Sequence, residues 1–231
     1  MASNSGKILG SSIFRKQVSA LTGLAMVGFV LAHLTGNLLI FMGPEAFNAY
    51  AAKLQTLGPI LWVMRLGLIG AVVLHVVITL TLAKENLQAR PQRYDVEKDH
   101  GDRKMATRAM KYTGITIVLF LCLHLYDFTF AEKEGPGSVV AGENLGLFGL
   151  VWNSFQFSGG WWRVLLYITA VSAIGMHLSH AIESAFQTFG FNHEKYTPVL
   201  KKVSLAIGIT VAVIFASIPI YAALASKPFG V

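Results

Sequence analysis

The chain has 231 residues, 54% of them hydrophobic and only 13% charged, with a mean hydropathy of +0.55. A soluble domain carries about 25% charged residues, so this composition excludes an ordinary soluble domain and points to a membrane protein. The formal net charge of +7 comes from basic residues lying between apolar stretches, which argues for membrane topology and against a nucleic-acid partner.

The polar stretch at residues 1–10 lacks the apolar core and small-residue cleavage site of a signal peptide. The first span is therefore expected to be retained as an anchor. Five apolar segments follow, at about residues 18–42, 60–83, 112–130, 162–187 and 203–224. Each is close to the roughly 20 residues that cross a hydrocarbon core as a helix. No repeat, low-complexity tract or second domain interrupts them, so residues 1–231 are expected to form one all-α bundle of five transmembrane helices.

The connecting segments alternate in charge. Lys7, Arg15 and Lys16 precede the first span, whereas the first loop holds only Lys53 and Glu45. The second loop is densely basic, from Lys84 to Lys111, and ends in DRKMATRAMK, a run compatible with a short interfacial helix or with a solvated loop. The third loop is glycine-rich and carries Lys133 against Glu132, Glu134 and Glu143; it reads as an irregular connection. Lys195, Lys201 and Lys202 make the fourth loop basic again. The positive-inside pattern then places the N-terminus in the cytoplasm and the C-terminus outside.

Each of the first four spans carries a histidine: His33, His75, His124 and His177. An ionisable residue inside a span marks a functional site unless a structural partner accounts for it. Spans one and three run outward, and at about 1.5 Å per residue His33 and His124 lie roughly 20–25 Å from the inner edge. Spans two and four run inward, and His75 and His177 lie about 14–15 Å from that edge. Depth therefore sorts them into an outer pair, His33 with His124, and an inner pair, His75 with His177.

Two imidazoles from facing helices suit the axial positions of a b-type haem. Zinc would need three or four ligands at one point. The lone cysteine, Cys122, excludes an intrachain disulfide and a cysteine-held cluster. His180, one turn beyond His177, competes for the inner position and is assigned to a haem edge or a hydrogen bond; His100 and His193 fall in loops. Ala170, Ala173, Ala181 and Ser184 share the face of His177, and Gly67 and Ala71 that of His75. Such stripes suit either room for a cofactor or close helix packing.

The stretches SSIFRKQVSALTGL, HLTGNLLIFMGPEAFNAYA and MHLSHAIESAFQTFGFNH, with one histidine on each of four spans out of five, carry a resemblance. Over essentially its whole length the chain resembles the five-helix, dihaem cytochrome b subunit of succinate:quinone oxidoreductases (succinate dehydrogenase, respiratory complex II) and fumarate reductases. The resemblance implies two haem b groups, the inner held from the second and fourth spans and the outer from the first and third. It also implies a bacterial cytoplasmic membrane, a flavoprotein subunit carrying FAD, an iron–sulfur subunit, and a quinone, menaquinone in the dihaem branch. Succinate would react on the flavoprotein, not on this chain, and the complex could form a higher oligomer. By motif position His177 falls on the family's ligand.

Contacts to haem propionates are expected from Arg65 and Arg163 at the outer end and from Ser19, Thr22 and Lys84 at the inner end; snorkelling is the alternative for the arginines. A quinone site could draw on Glu45, Trp62, Tyr126 and Asp127. Two other readings remain in view. The cytochrome b subunit of a hydrogenase or formate dehydrogenase would distribute its histidines unevenly. A proton-coupled transporter with a histidine relay would want acidic partners inside the spans.

Overall fold

The computed structural model describes residues 11–89 and 102–228, without the side chains of 102–108 and 157–159. Arg90, Arg93, Lys98 and His100 of the basic second loop, like Lys7 and the N-terminal stretch, lie outside the described residues.

Among the described residues seven α-helices follow one another: α1 (Ser12–Asn37), α2 (Pro44–Gln55), α3 (Pro59–Gln88), α4 (Asp102–His124), α5 (Gly146–Ser154), α6 (Phe157–Thr188) and α7 (Thr197–Leu224). Five helical stretches among the described residues are long and apolar enough to cross a membrane: Ser12–Met42, Pro59–Gln88, Ala109–Thr129, Gly160–Thr188 and Thr197–Leu224. These overlap the five segments expected from hydropathy, with helices that start earlier because polar residues extend the end turns. DRKMATRAMK is helical and runs without a break into the third span.

Local chemistry sets the boundaries. Ser11 caps α1 by accepting from Phe14 N at 3.1 Å, which satisfies an otherwise orphaned amide. Pro44 and Pro59 open α2 and α3, where a missing N–H costs nothing and φ is already helical. Glu45 in the first turn of α2 and Lys53 in its last complement the helix dipole.

In the bundle, α1 packs on α3 and α6, α4 packs on α6, and α6 packs along α7. The α6–α7 seam is the closest. A Cβ on Gly175 would lie 2.5 Å from the Gly208 carbonyl oxygen, and one on Gly208 would strike the Gly175 carbonyl and Ser179. Glycine is thus the one residue that lets these backbones approach so nearly. Leu34, Leu178, Ile182 and Val211 form a buried cluster where α1, α6 and α7 meet.

The two ends of the bundle differ. At one, Arg15 forms a bidentate pair with Glu85, at 2.7 and 2.9 Å, joining the start of α1 to the end of α3. The other is covered by a cap that the sequence reading missed. The first loop holds the amphipathic α2. The third loop, expected to be irregular, contains α5 and a two-stranded hairpin pairing Val139 with Asn144 and Val140 with Glu143. Ala141 and Gly142 both adopt positive φ, 52° and 89°, the geometry of a tight two-residue hairpin turn. Ile40, Phe47, Phe148, Trp152 and Phe155 are buried together beneath this cap.

Candidate functional site

The four span histidines come together in two pairs. The rings of His33 on α1 and His124 on α4 lie 5.8 Å apart between centroids, with planes at 86°. His75 on α3 and His177 on α6 are near enough to interact electrostatically, with His180 close on the His177 side. The two pairs occupy different levels. His75 contacts Ser19 on α1, and Ser19 and His33 are about 21 Å apart along that helix at 1.5 Å per residue.

The helices that carry a pair are not those that pack closely. Among the described residues α1 packs on α3 and α6 rather than on α4, and α3 on α1 rather than on α6. Imidazoles therefore span gaps that the backbones leave open.

Hydrogen bonds distinguish the pairs. At the pair nearer the Arg15–Glu85 end, His75 Nδ1 lies 3.0 Å from the Ser19 carbonyl oxygen and 3.3 Å from Thr22 Oγ1. A carbonyl only accepts, so Nδ1 carries the proton and Nε2 keeps its lone pair. His177 Nδ1 lies 3.1 Å from Thr113 Oγ1, whose own proton goes to the Ala109 carbonyl at 2.9 Å. With that proton engaged, the hydroxyl oxygen accepts when Nδ1 carries the hydrogen, the tautomer found at His75. Among the described residues nothing hydrogen-bonds to Nε2 of either ring.

The pair nearer the cap is held by aromatic rings. Phe29 stacks on His33 at 5.5 Å, and Phe120, Phe128 and Tyr167 surround His124 at 5.5, 5.4 and 6.2 Å. Asn37 Nδ2 lies 3.3 Å from His33 Nε2 but makes its shorter bond, 2.8 Å, to the His33 carbonyl. His124 Nδ1 is buried without a partner.

Directly after His124 the helix widens into a π-helical turn, Leu125–Thr129, a feature frequent at functional sites. It turns Asp127 inward, where the carboxylate accepts from Tyr167 Oη at 2.9 Å and from Arg163 Nη2 at 3.2 Å. Arg163 also lies over the Trp162 ring, and its Nε is buried without a partner.

Of the residues expected at a quinone site, Asp127 is buried, whereas Trp62 and Tyr126 are 60% and 69% exposed and Glu45 is exposed on α2. The expected propionate contacts distribute differently too. Ser19 and Thr22 meet the His75 ring itself, Arg65 stacks on Trp62 at 5.2 Å, and Lys84 is exposed beside Glu85. Ala170 and Ala173 are buried, whereas Gly67 faces open space. Ser184 lines a groove of about 320 Å³ with Ile13, Lys16, Gln187 and Thr188. His193 caps its own loop by accepting from Lys195 N.

Thr113 and Tyr167 escaped the sequence reading. A signal for the first was present: the dipeptide Thr-Gly occurs at 22–23, 35–36 and 113–114, and the first and third of these meet a span histidine. Among the described residues no group of three or more histidine, cysteine, aspartate or glutamate side chains could hold a metal ion; the donors come in twos. Comparisons with family models, with curated proteins and with solved structures found no match for this chain.

Proposed function

We propose that this chain is the dihaem cytochrome b membrane anchor of a succinate:quinone oxidoreductase or fumarate reductase. It would pass electrons between the iron–sulfur subunit and a membrane quinone, with menaquinone the expected species. The observation that carries the reading is the sorting of four span histidines into two pairs at two levels. His33 with His124 would hold the outer haem, and His75 with His177 the inner.

The donor set fits. Each level offers two imidazoles from different helices, and imidazole is a ligand that haem iron takes. The His33–His124 separation is 5.8 Å. At the inner pair both rings keep Nε2 free as a donor atom, through bonds made by Nδ1. The backbones of α1 and α4, and those of α3 and α6, are not packed closely on one another. A haem bound there supplies one-electron chemistry, and the protein supplies position, exclusion of water and electrostatics.

The basic N-terminus and second loop support an orientation with the inner pair toward the cytoplasm, where the flavoprotein and iron–sulfur subunits would dock. Succinate chemistry would take place on those subunits. Asp127, with Tyr167 and Arg163, is the group best suited to exchange a proton with a quinone near the outer haem.

A haem count on the purified membrane complex tests the reading, by pyridine haemochrome and by reduced-minus-oxidised spectrum. Two b-type haems per chain are expected. One would favour the hydrogenase-like arrangement, and none in an intact complex would leave the histidines to a proton relay.

A further inference from the structure

Two Thr-Gly dipeptides meet the inner histidines in the same manner. Thr22 on α1 reaches His75 Nδ1 and Thr113 on α4 reaches His177 Nδ1, at 3.3 and 3.1 Å. The following glycines, Gly23 and Gly114, lie against the Cε1 edges of the same rings. A Cβ would come within 3.3 Å of His75 Cε1 at the first and 3.7 Å of His177 Cε1 at the second. At Gly23 a methyl would crowd the ring and at Gly114 it would meet it in ordinary van der Waals contact, while threonine hydrogen-bonds Nδ1 at both. Among the described residues the outer pair has no such arrangement, and His124 Nδ1 has no partner.

From this repeated juxtaposition we infer that Thr22-Gly23 and Thr113-Gly114 are imidazole cradles, and that Thr113 is the positioning residue governing the electronic state of the inner iron site. The inference rests on the dihaem reading. Neither threonine touches the metal; each acts through a histidine. A hydrogen bond from Nδ1–H makes the imidazole a more basic ligand and fixes its orientation, which favours oxidised over reduced iron.

The two cradles are unequal. His75 has a second acceptor, the Ser19 carbonyl at 3.0 Å, which no side-chain substitution removes. His177 depends on Thr113 alone among the described residues. Removing the Thr113 hydroxyl should therefore matter more than removing that of Thr22. The low end of the effect reported for losing such a partner is about tenfold. Applied to the preference for oxidised over reduced iron, tenfold is about 59 mV for one electron.

The test is a spectroscopic redox titration of the intact purified complex carrying Thr113→Val, Thr113→Ser or Thr22→Val. The inner haem is identified as the one lost in His177→Ala. Thr113→Val is expected to raise the midpoint of the inner haem by about tenfold in equilibrium preference, while the outer haem stays put. Thr113→Ser should restore it, and Thr22→Val should shift it less. Loss of the inner haem in Thr113→Val but not in Thr113→Ser would support the same assignment. Two haems with unmoved midpoints in Thr113→Val would overturn it. So would a serine variant that behaves as the valine does, since packing and not the hydroxyl would then be responsible. A wild-type complex without haem would instead overturn the dihaem reading itself.

Discussion

Tyr167 donates its phenol proton to Asp127 Oδ2 at 2.9 Å, and each of the two residues is only 5% exposed. The pair ties α6 to the π-helical turn that follows α4, directly beside His124. A buried carboxylate is costly unless its oxygens are satisfied, and here Tyr167 and Arg163 serve one oxygen each. Tyr167→Phe strips one of those bonds without changing the ring packing. Thermal unfolding in detergent should show a loss of about 1.5–3 kcal/mol, the range for a hydrogen bond to a charged group. An unchanged unfolding temperature would mean that Asp127 does not depend on the phenol.

Ligand replacement should divide the histidines as their geometry does. His75→Ala or His177→Ala is expected to remove one haem, and His33→Ala or His124→Ala the other, leaving one b-type haem per chain in each variant. His180→Ala should retain both. Retention of two haems in His177→Ala together with loss of one in His180→Ala would transfer the inner ligand to His180.

The seam between α6 and α7 gives a prediction independent of any cofactor. Alanine at Gly175 or Gly208 must push the helices apart, because its methyl would overlap the facing backbone. Overpacking of this kind costs about 1–3 kcal/mol. Gly28→Ala is the control, since a Cβ there meets nothing within 4 Å. Equal thermal stability of the Gly175→Ala and Gly28→Ala variants would show that the close approach is dispensable.

Asn48 fastens the cap to the bundle. Its side chain donates to the Leu145 carbonyl at 2.9 Å and accepts from Phe148 N at 3.1 Å, so α2 is tied to the start of α5. Asn48→Ala leaves the Phe148 amide unpaired, while the Leu145 carbonyl keeps its bond from Gly149 N at 3.2 Å, and should destabilise the cap by about 1–3 kcal/mol. Limited proteolysis would read this as faster cleavage between residues 131 and 146, with the spans intact. Cleavage no faster than in the wild type would show that the apolar contacts of Phe148 and Trp152 hold the cap alone.

The five apolar stretches were legible in the sequence because a bilayer imposes a minimum length and an apolar composition on any helix that crosses it. The levels of the four histidines were legible for a related reason. Charged loops mark the edges, and a helix rises by a constant amount per residue. Neither inference needs knowledge of which helix neighbours which.

What lay beyond the sequence depended on contacts between distant segments. The cap is an example: Gly149 is tolerated, and needed, only because the Ser138 backbone lies against it. Helix α2 was missed because its twelve residues are too short and too polar to register as a span. Thr113 reads as an ordinary polar residue near a span end, and Thr22 as a propionate contact, until α3 and α6 bring imidazoles to them, across 53 and 64 positions of chain. Asp127 looks like a residue near a helix end, and only the π-helical turn swings it onto Tyr167 and Arg163. Periodicity and composition are properties of each helix separately, whereas a hydrogen bond between helices depends on their relative rotation and approach. Those are decided by the packing of every side chain at once.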